Sequence, residues 1–483
     1  MKISTPADWD FAGAWQVAEA IRKHLVSSVE ITSNVLYRQQ KLNPKINAIV
    51  TELGRLALDR AQKADAALAR HENWGCLHGV PCTVRDTFET AGIRTTAGLR
   101  GLRDYIPRQN ASVVTRLLAA GAVIVGKTNT SALGRDWQTY NDLFGVTNNP
   151  WDLTRTPGGS SGGCAAAVAA GLSYLSIGSD LGGSIRIPAA FCGVFGHKPS
   201  LDLVPSDGHI PPYPGRPRPR SSLGVRGPIA RDPADLMLAL EVLGRLEYKR
   251  RAPSACALPP ARRSRISDYK IGFVLDDPLC RVAPEIVTTL YSVISELRRS
   301  GAKLQHGWPS PLIPQQQHKP YRCLLDGLGV LRRETFHKTA DRGSEIARAA
   351  TAPNWVTFKS NLFSGLRKRL AARQLWQDFF QTYDAFLLPT VFVPAFCHDH
   401  SEPWDQRWLQ SPQGPQPYLG LAFWTSFATL AGLPATVAPV GFTKERLPIG
   451  IQIIGPYFQD ATPIDLASRI SHMLGGFQPA STG

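Results

Sequence analysis

The chain alternates helix-type and strand-type hydrophobic patterns along most of its length. Two stretches place apolar residues every three or four positions: Val17, Ala18, Ile21 and Leu25, and later Ile286, Leu290, Val293 and Leu297. Such spacing predicts helices with one buried face. Gly301 follows the second stretch, and a glycine there is typical of a helix end.

Residues at segment boundaries support this pattern. Ser27 and Glu30 stand three positions apart, a spacing at which each side chain can bond the other's backbone N–H, so a helix is predicted to begin here. Residues 113–120 predict a second helix that ends at Gly121. The apolar run 123–125 then predicts a buried strand.

Further segments indicate how the elements are layered. Residues 162–170 contain only glycine, cysteine, alanine and valine, and such short side chains predict an internal helix in close contact with its neighbours. Residues 436–440 and 449–454 predict strands near the C-terminus. Helices alternating with short apolar strands predict an α/β fold whose sheet is covered on both faces.

Composition agrees with a large soluble enzyme. The chain has 483 residues, of which 43% are hydrophobic, and no uninterrupted apolar run reaches the roughly 18 residues expected of a membrane span. The first ten residues lack the layout of a signal peptide. The eight cysteines are scattered without metal-like pairs. Together these features predict reduced thiols and a cytoplasmic location.

A net charge of +16 raises the question of nucleic-acid binding. Basic residues cluster at 216–220, 249–251 and 262–265. These segments are loop-like and lack interleaved aromatic residues on which bases could stack. We therefore interpret the charge as a solvated basic face and expect no specific nucleic-acid partner.

Candidate chemistry is concentrated in two glycine-walled turns. Ser160 lies in Gly-Gly-Ser-Ser-Gly-Gly, and Ser184 lies in Asp-Leu-Gly-Gly-Ser-Ile-Arg. Glycine lets a substrate approach the backbone closely. A serine in such a turn can act as a nucleophile while neighbouring amide N–H groups hold an oxyanion.

The full stretch from Thr156 to Ser200 resembles the signature region of the amidase signature family of serine hydrolases. Further matching segments are Asn43–Ala48, Gly126–Asn129, Asn148–Asp152, Gly432–Ala435 and Leu447–Gln452. The resemblance implies one α/β/α domain over residues 1–483, built on a mixed, twisted central sheet. It also implies a catalytic core at about 60–240 and a variable, pocket-covering region at about 245–425.

The resemblance also implies a catalytic set. The nucleophile falls on Ser184, and the bridging serine, which a cis peptide bond precedes in the family, falls on Ser160. The family's lysine falls four residues after the proline of Gly79–Asp86, where this chain has Arg85. A guanidinium stays protonated, so Arg85 can position and donate but not accept a proton.

The turn around Ser184 carries the remaining site predictions. The amides of Leu181, Gly182, Gly183 and Ser184 are predicted to form an oxyanion and substrate-binding nest. Ser161 is predicted to support the neighbouring turn. Asp180 and Arg186 flank the nucleophile, and the resemblance implies that they brace it.

The leading hypothesis is an amidase that cleaves the C–N bond of a small-molecule carboxamide through a serine acyl-enzyme, with no metal or organic cofactor. Arg85 favours one alternative, a catalytically inactive amidase-fold protein used for binding or scaffolding. Another is the amidase subunit of a tRNA-dependent amidotransferase, although that subunit usually has glutamine where this chain has Ile187. The sequence leaves the oligomeric state open, a homodimer included.

Other residues could substitute for the missing base or bind metal. Lys127 and Lys198 are titratable, but each lies in a segment that resembles a structural part of the family. Cys397-His-Asp-His400 contains metal-ligand residue types, yet adjacent residues seldom converge on one ion. We therefore expect neither a replacement lysine nor a metal site.

Overall fold

The computed structural model describes residues 9–214, 223–244, 258–337 and 355–480, the side chains at 326–337 and 355–363 excepted. Two of the three basic clusters, at 216–220 and 249–251, and the first eight residues lie outside this description. The described residues form a single α/β domain around one large sheet.

The helices in the described part of the chain are α1 Ala14–Arg22, α2 Ser28–Ile46, α3 Gly54–Ala69, α4 Ser112–Ala119, α5 Gly162–Ala169, α6 Arg186–Cys192, α7 Pro233–Leu243, α8 Pro284–Arg299, α9 Pro314–His337, α10 Trp355–Thr382, α11 Phe423–Ala431 and α12 Ala461–Leu474. The strands are β1 Ile49–Glu52, β2 Pro81–Arg85, β3 Val123–Thr128, β4 Tyr140–Asn141, β5 Gly145–Val146, β6 Leu175–Asp180, β7 Phe195–Lys198, β8 Val225–Ala230, β9 Lys270–Phe273, β10 Lys303–His306, β11 Ala385–Pro389, β12 Trp408–Leu409, β13 Gln416–Pro417, β14 Ala435–Phe442 and β15 Pro448–Ile454.

Eleven of these strands form the central sheet, in the order β1-β3-β2-β6-β8-β7-β14-β15-β11-β9-β10. The sheet is mixed: β3, β2 and β6 run parallel, as do β11, β9 and β10, whereas the strands between β6 and β11 pair antiparallel. Every residue of β2, β3, β8 and β15 is buried. Because side chains alternate between the two faces of a strand, burial of all of them means that both faces are covered, which confirms the predicted architecture.

Local sequence signals place several elements correctly. The Ser27–Glu30 capping box is present at the beginning of α2. The internal small-residue helix is α5, and all of its residues are buried. One position is wrong: α1 ends at Arg22, His24 adopts a left-handed φ of 54°, and Leu25 is 44% exposed rather than part of the buried face.

The region after residue 245 does more than cover the sheet. It supplies β9, β10 and β11, which form one edge of the central sheet, together with α8, α9 and α10. In the third basic cluster, Arg263 pairs with Asp384 at 3.1 Å and Arg265 with Asp268 at 3.0 Å. Across the described ranges, no helix is both long enough and apolar enough to cross a membrane.

The topology brings the ends of three strands together. Since β3, β2 and β6 are parallel neighbours, their carboxyl ends lie at the same edge of the sheet. Arg85 is the last residue of β2, and Asp180 is the last residue of β6. Functional groups in open α/β sheets concentrate at such an edge, and the predicted catalytic residues lie there.

Candidate active site

Arg85 lies at the centre of a group of hydroxyls. Its side chain is buried, and its Nε donates to Thr130 Oγ1 at 2.8 Å. Its Nη1 donates to Ser161 Oγ at 3.0 Å and to Ser179 Oγ at 2.8 Å. These bonds hold the guanidinium at the position that the resemblance assigns to a lysine.

Ser160 lies beside that guanidinium. The Gly159–Ser160 peptide bond is cis, as the resemblance implies. A Cβ placed on Gly134 would lie 2.7 Å from Arg85 Nη2 and 3.2 Å from Ser160 Oγ, so both groups face the same glycine. The two serine turns are joined directly, because the Ser161 amide donates to the Ser184 carbonyl at 3.1 Å.

This close approach gives a steric test of the site. Gly134→Ala places a methyl group against both Arg85 and Ser160, and we expect the reaction of Ser184 with a fluorophosphonate to slow roughly tenfold or more. Gly92→Ala is the matched control: Gly92 has a similar φ of +73° against +68° at Gly134, and nothing lies within 4 Å of its added Cβ.

Both alanine variants should lose about 1–2 kcal/mol of unfolding free energy, because both force a side chain into a left-handed conformation, and Gly134→Ala should lose more because its Cβ also meets Arg85. Thermal or denaturant unfolding measures that shared cost. Equal labelling rates for the two variants would show that the space at Gly134 does not matter to the serine.

Asp180 and Arg186 brace the turn that carries Ser184. The two side chains are fully buried, and Arg186 Nη2 lies 2.9 Å from Asp180 Oδ1. Arg186 also donates to the Thr425 carbonyl at 2.8 Å and to Gln452 Oε1 at 2.6 Å. Burial alone raises the pKa of Asp180, but the Arg186 charge and its hydrogen bonds outweigh burial and hold that pKa below its usual value.

One of the predicted oxyanion donors is already bonded within the turn. The Gly183 amide donates to Asp180 Oδ1 at 2.8 Å, which fixes the turn from inside. Within the described residues, no group accepts a hydrogen bond from the backbone amides of Leu181, Gly182 or Ser184. Of the four amides of the predicted nest, the structure therefore uses that of Gly183 inside the turn and leaves the other three without an acceptor among the described residues.

Ser184 is 7% exposed and lies two residues before α6, the seven-residue helix that begins at Arg186. Ile185 rather than Ser184 is the residue that precedes the helix. Ser184 thus lies in the turn itself, with its carbonyl bonded to the Ser161 amide. The carbonyl of the Ser184 turn is thus bonded to the turn that carries Ser160 and Ser161.

The two alternative lysines are bonded elsewhere. Lys127 is buried, donates to the Phe88 carbonyl at 2.9 Å and lies 3.2 Å from Asp86 Oδ1. Lys198 donates to the carbonyls of Pro199 and Leu433, at 2.9 and 2.7 Å. Burial, together with the Arg186 charge, lowers the pKa of Lys198 to about 7, but its hydrogen bonds go to these backbone carbonyls rather than to either serine.

The sequence did not single out His209, which the structure places at the carboxyl ends of β2 and β6, near Arg85 and Ser179. Its Nε2 lies 3.0 Å from Ser179 Oγ and 3.1 Å from Thr87 Oγ1. Since Ser179 Oγ also receives a hydrogen bond from Arg85, an imidazole is connected to the guanidinium through one hydroxyl. No spacing in the sequence links position 209 to position 85, because the contact depends on how distant segments meet.

The segment Cys397–His400 does not assemble a metal site. Among the residues that the structure describes, no three metal-binding side chains come together. His398 Nε2 lies 3.1 Å from Asn148 Oδ1, and the His400 ring stacks on Tyr140 with a centroid distance of 4.0 Å. These histidines serve packing and hydrogen bonding.

Comparison with known proteins gives a consistent result over almost the whole chain. The sequence profile of the Amidase family matches residues 30–463. A curated relative, a glutamyl-tRNA(Gln) amidotransferase subunit from Moorella thermoacetica, is 31% identical over 94% of this chain and 95% of its own length. The corresponding subunit from Carboxydothermus hydrogenoformans is 32% identical over 95% of this chain and 96% of its own.

Solved structures agree in fold. The corresponding glutamyl-tRNA(Gln) amidotransferase subunit from Thermotoga maritima superposes with a TM-score of 0.75 at 26% identity, covering 94% of this chain and 95% of that one. A structure described as an amidase gives a TM-score of 0.81 at 25% identity, covering 96% of this chain and 100% of that one. A bacterial aryl acylamidase of the amidase signature family shares the fold, with a TM-score of 0.79 at 24% identity, covering 96% of this chain and 98% of that one.

Proposed function

Since this chain belongs to the amidase signature family, we propose that it is an amidase that hydrolyses a carboxamide C–N bond through an acyl-enzyme on Ser184. The observation that carries the proposal is the bond from the Ser161 amide to the Ser184 carbonyl, which joins the two serine turns beside Arg85. A nucleophilic hydroxyl and backbone amides that can hold an oxyanion are two components of acyl transfer, and a general base is the third.

In the proposed reaction, Ser184 Oγ attacks the carbonyl carbon of the amide while its proton passes to Ser160 Oγ, which at the same time gives its own proton to the amide nitrogen. The amides of Leu181, Gly182 and Ser184 stabilise the negative oxygen of the tetrahedral intermediate. When the intermediate collapses, the C–N bond breaks and the proton leaves with the amine. Water then attacks the acyl ester: one of its protons passes through Ser160 to Ser184 Oγ, and the other is lost to solvent as the carboxylate is released.

Arg85 determines how fast this proceeds. Its guanidinium holds the hydroxyls of Thr130, Ser161 and Ser179 in place, but it remains protonated and takes no proton from Ser160. The loss of a general base costs roughly 10²–10⁴ in rate. The proposed amidase is therefore slow, with its nucleophile and donors in place.

A fluorophosphonate probe tests the proposal. We expect the folded chain to be labelled at Ser184, as identified by peptide mapping, and to release amine slowly from one or more members of a panel of short, aryl and fatty amides. Absence of both labelling and hydrolysis would instead favour the inactive binding or scaffold protein, the interpretation for which Arg85 is the supporting feature.

A second candidate function is the amidase subunit of a tRNA-dependent amidotransferase. The names of the curated relatives favour it, since they match over nearly the full length. Ile187 argues against it, because that subunit usually has glutamine at this position. In this chain the side chain is apolar and buried, and it lies next to Gly183 at the turn. Release of ammonia from glutamine, dependent on an added partner complex, is the result that would support this candidate.

A further inference from the structure

Trp137 touches the turn whose amides are proposed to stabilise the oxyanion. Its indole is 5% exposed, and its Nε1 donates to the Gly182 carbonyl at 2.7 Å. An indole nitrogen can only donate, so this bond has a fixed direction. We propose that Trp137 is a positioning residue that orients the amides of the 181–184 turn, an inference that rests on the proposed amidase function.

The 182–183 peptide unit is held at both of its polar ends. Its carbonyl accepts from Trp137, and its N–H donates to Asp180 Oδ1 at 2.8 Å. Because the peptide is planar, these two bonds fix the orientation of this unit, and they restrain the Gly182 and Ser184 amides, which belong to the adjoining units, through the φ and ψ angles between them. Donors for a developing oxyanion act through such fixed placement.

Other side chains near the turn hold it less firmly. Thr425 Oγ1 lies 3.4 Å from the Gly182 carbonyl, and its single hydrogen has a nearer acceptor in the Ala422 carbonyl at 3.2 Å. Tyr321 OH lies 3.5 Å from the Leu181 carbonyl. Hydrogen bonds weaken at such lengths, so the 2.7 Å bond from Trp137 is the main restraint on this face.

A buried ion pair holds Trp137 itself. Asp136 accepts from Arg407 Nη1 at 2.8 Å, and both side chains are buried. Asp136 also accepts a hydrogen bond from the Tyr418 hydroxyl, and Arg407 donates one to the Tyr140 hydroxyl at 2.8 Å. Breaking a buried pair is costly, so the loop on which Trp137 lies is firmly held.

The residue after Trp137 is tied to the same distant segment. The Asp399 amide donates to Gln138 Oε1 at 3.0 Å, and Gln138 Nε2 donates back to the Asp399 carbonyl at 2.5 Å. The indole ring meets Tyr418 at a centroid distance of 5.6 Å. Segment 399–418, from the far half of the chain, thus positions Trp137, which in turn positions the turn.

Trp137→Phe removes the N–H and keeps an aromatic ring. We expect kcat for the best amide of the panel to fall roughly 10–100-fold, with KM within about twofold of the parent value. Misplaced donors reduce the stabilisation of the transition state more than they reduce the affinity for substrate. Turnover is measured in the Arg85→Lys background if the natural chain is too slow. Hydrogen exchange at the amides of Gly183, Ile185 and Arg186, which now bond Asp180, should become faster.

Trp404→Phe is the control. Trp404 packs edge-on against Trp137 at a centroid distance of 5.8 Å, so the change perturbs the same aromatic cluster but leaves the Trp137 N–H in place. We expect its kcat and its exchange rates at the turn to stay within about twofold of the parent. Equal effects from the two variants, or an unchanged Trp137→Phe, would overturn the positioning role.

The two proposals fail in different ways. If neither the natural chain nor the Arg85→Lys variant is labelled by the fluorophosphonate or hydrolyses an amide, the proposed amidase function is overturned. The role of Trp137 is then decided by hydrogen exchange at the turn. If both are active and Trp137→Phe is as active as they are, only the positioning role is lost.

Discussion

Replacing Ser184 with alanine is expected to abolish fluorophosphonate labelling and, in the Arg85→Lys background, to lower amide hydrolysis by roughly 10⁴-fold or more. The change removes the atom that forms the acyl bond, and removing the nucleophile of a serine hydrolase costs about as much as removing the whole catalytic unit. The remaining amides can still polarise a bound carbonyl, so a small residual rate is expected. Labelling is followed by mass spectrometry, and turnover is followed by amine release.

Two further variants make this result specific. Ser160→Ala should also lose most of the activity, because it removes the hydroxyl beside Arg85 Nη2. Ser292→Ala is the control: Ser292 lies on the exposed side of α8, and its hydroxyl bonds only its own helix, at the Thr288 carbonyl. Labelling that persists in Ser184→Ala at the natural rate would place the nucleophile elsewhere and end the proposed mechanism.

Arg85→Lys is expected to raise amide hydrolysis by roughly 10²–10⁴-fold, the range over which a general base contributes. The oxygens that now accept from the guanidinium, at Thr130, Ser161 and Ser179, are neutral hydroxyls. A lysine ammonium buried among neutral groups has its pKa lowered, since desolvation disfavours the charged form. The side chain can then take the proton of Ser160, which Arg85 cannot.

The pH profile identifies the cause of the increase. A lysine acts as base only when neutral, so the rate of Arg85→Lys should rise with pH through its lowered pKa and then level off. The natural chain should lack that rise. Arg85→Met separates the gain of a base from the loss of a cation: it removes the guanidinium and supplies no acceptor. An Arg85→Lys rate no higher than that of Arg85→Met would mean that position 85 does not serve as the base position.

Much of the fold was predictable because its signals are local. The capping box at Ser27 and Glu30 depends on atoms three residues apart, and it formed as predicted. The small side chains of 162–170 predicted an internal helix, since such short residues allow close packing on all sides, and α5 is fully buried. Leu25 was placed wrongly because periodicity alone does not show that α1 ends at Arg22.

The sequence by itself determined which chemical groups are available: two serines in glycine-walled turns, an arginine where the family pattern has lysine, and the family to which the chain belongs. Only the tertiary structure decided how those groups are used. Parallel pairing of β3, β2 and β6 gathers Arg85, Thr130 and Ser179 at one edge, and it adds His209 from a distant loop.

The same holds for the turn at Ser184. The sequence predicts four equivalent amide donors, whereas the folded chain commits that of Gly183 to Asp180 and fixes the Gly182 carbonyl with Trp137. Such assignments depend on hydrogen bonds between segments tens or hundreds of residues apart. A linear pattern records the spacing of residues along one strand or helix, but contact between separate segments is set by the packing of the whole sheet and its helices.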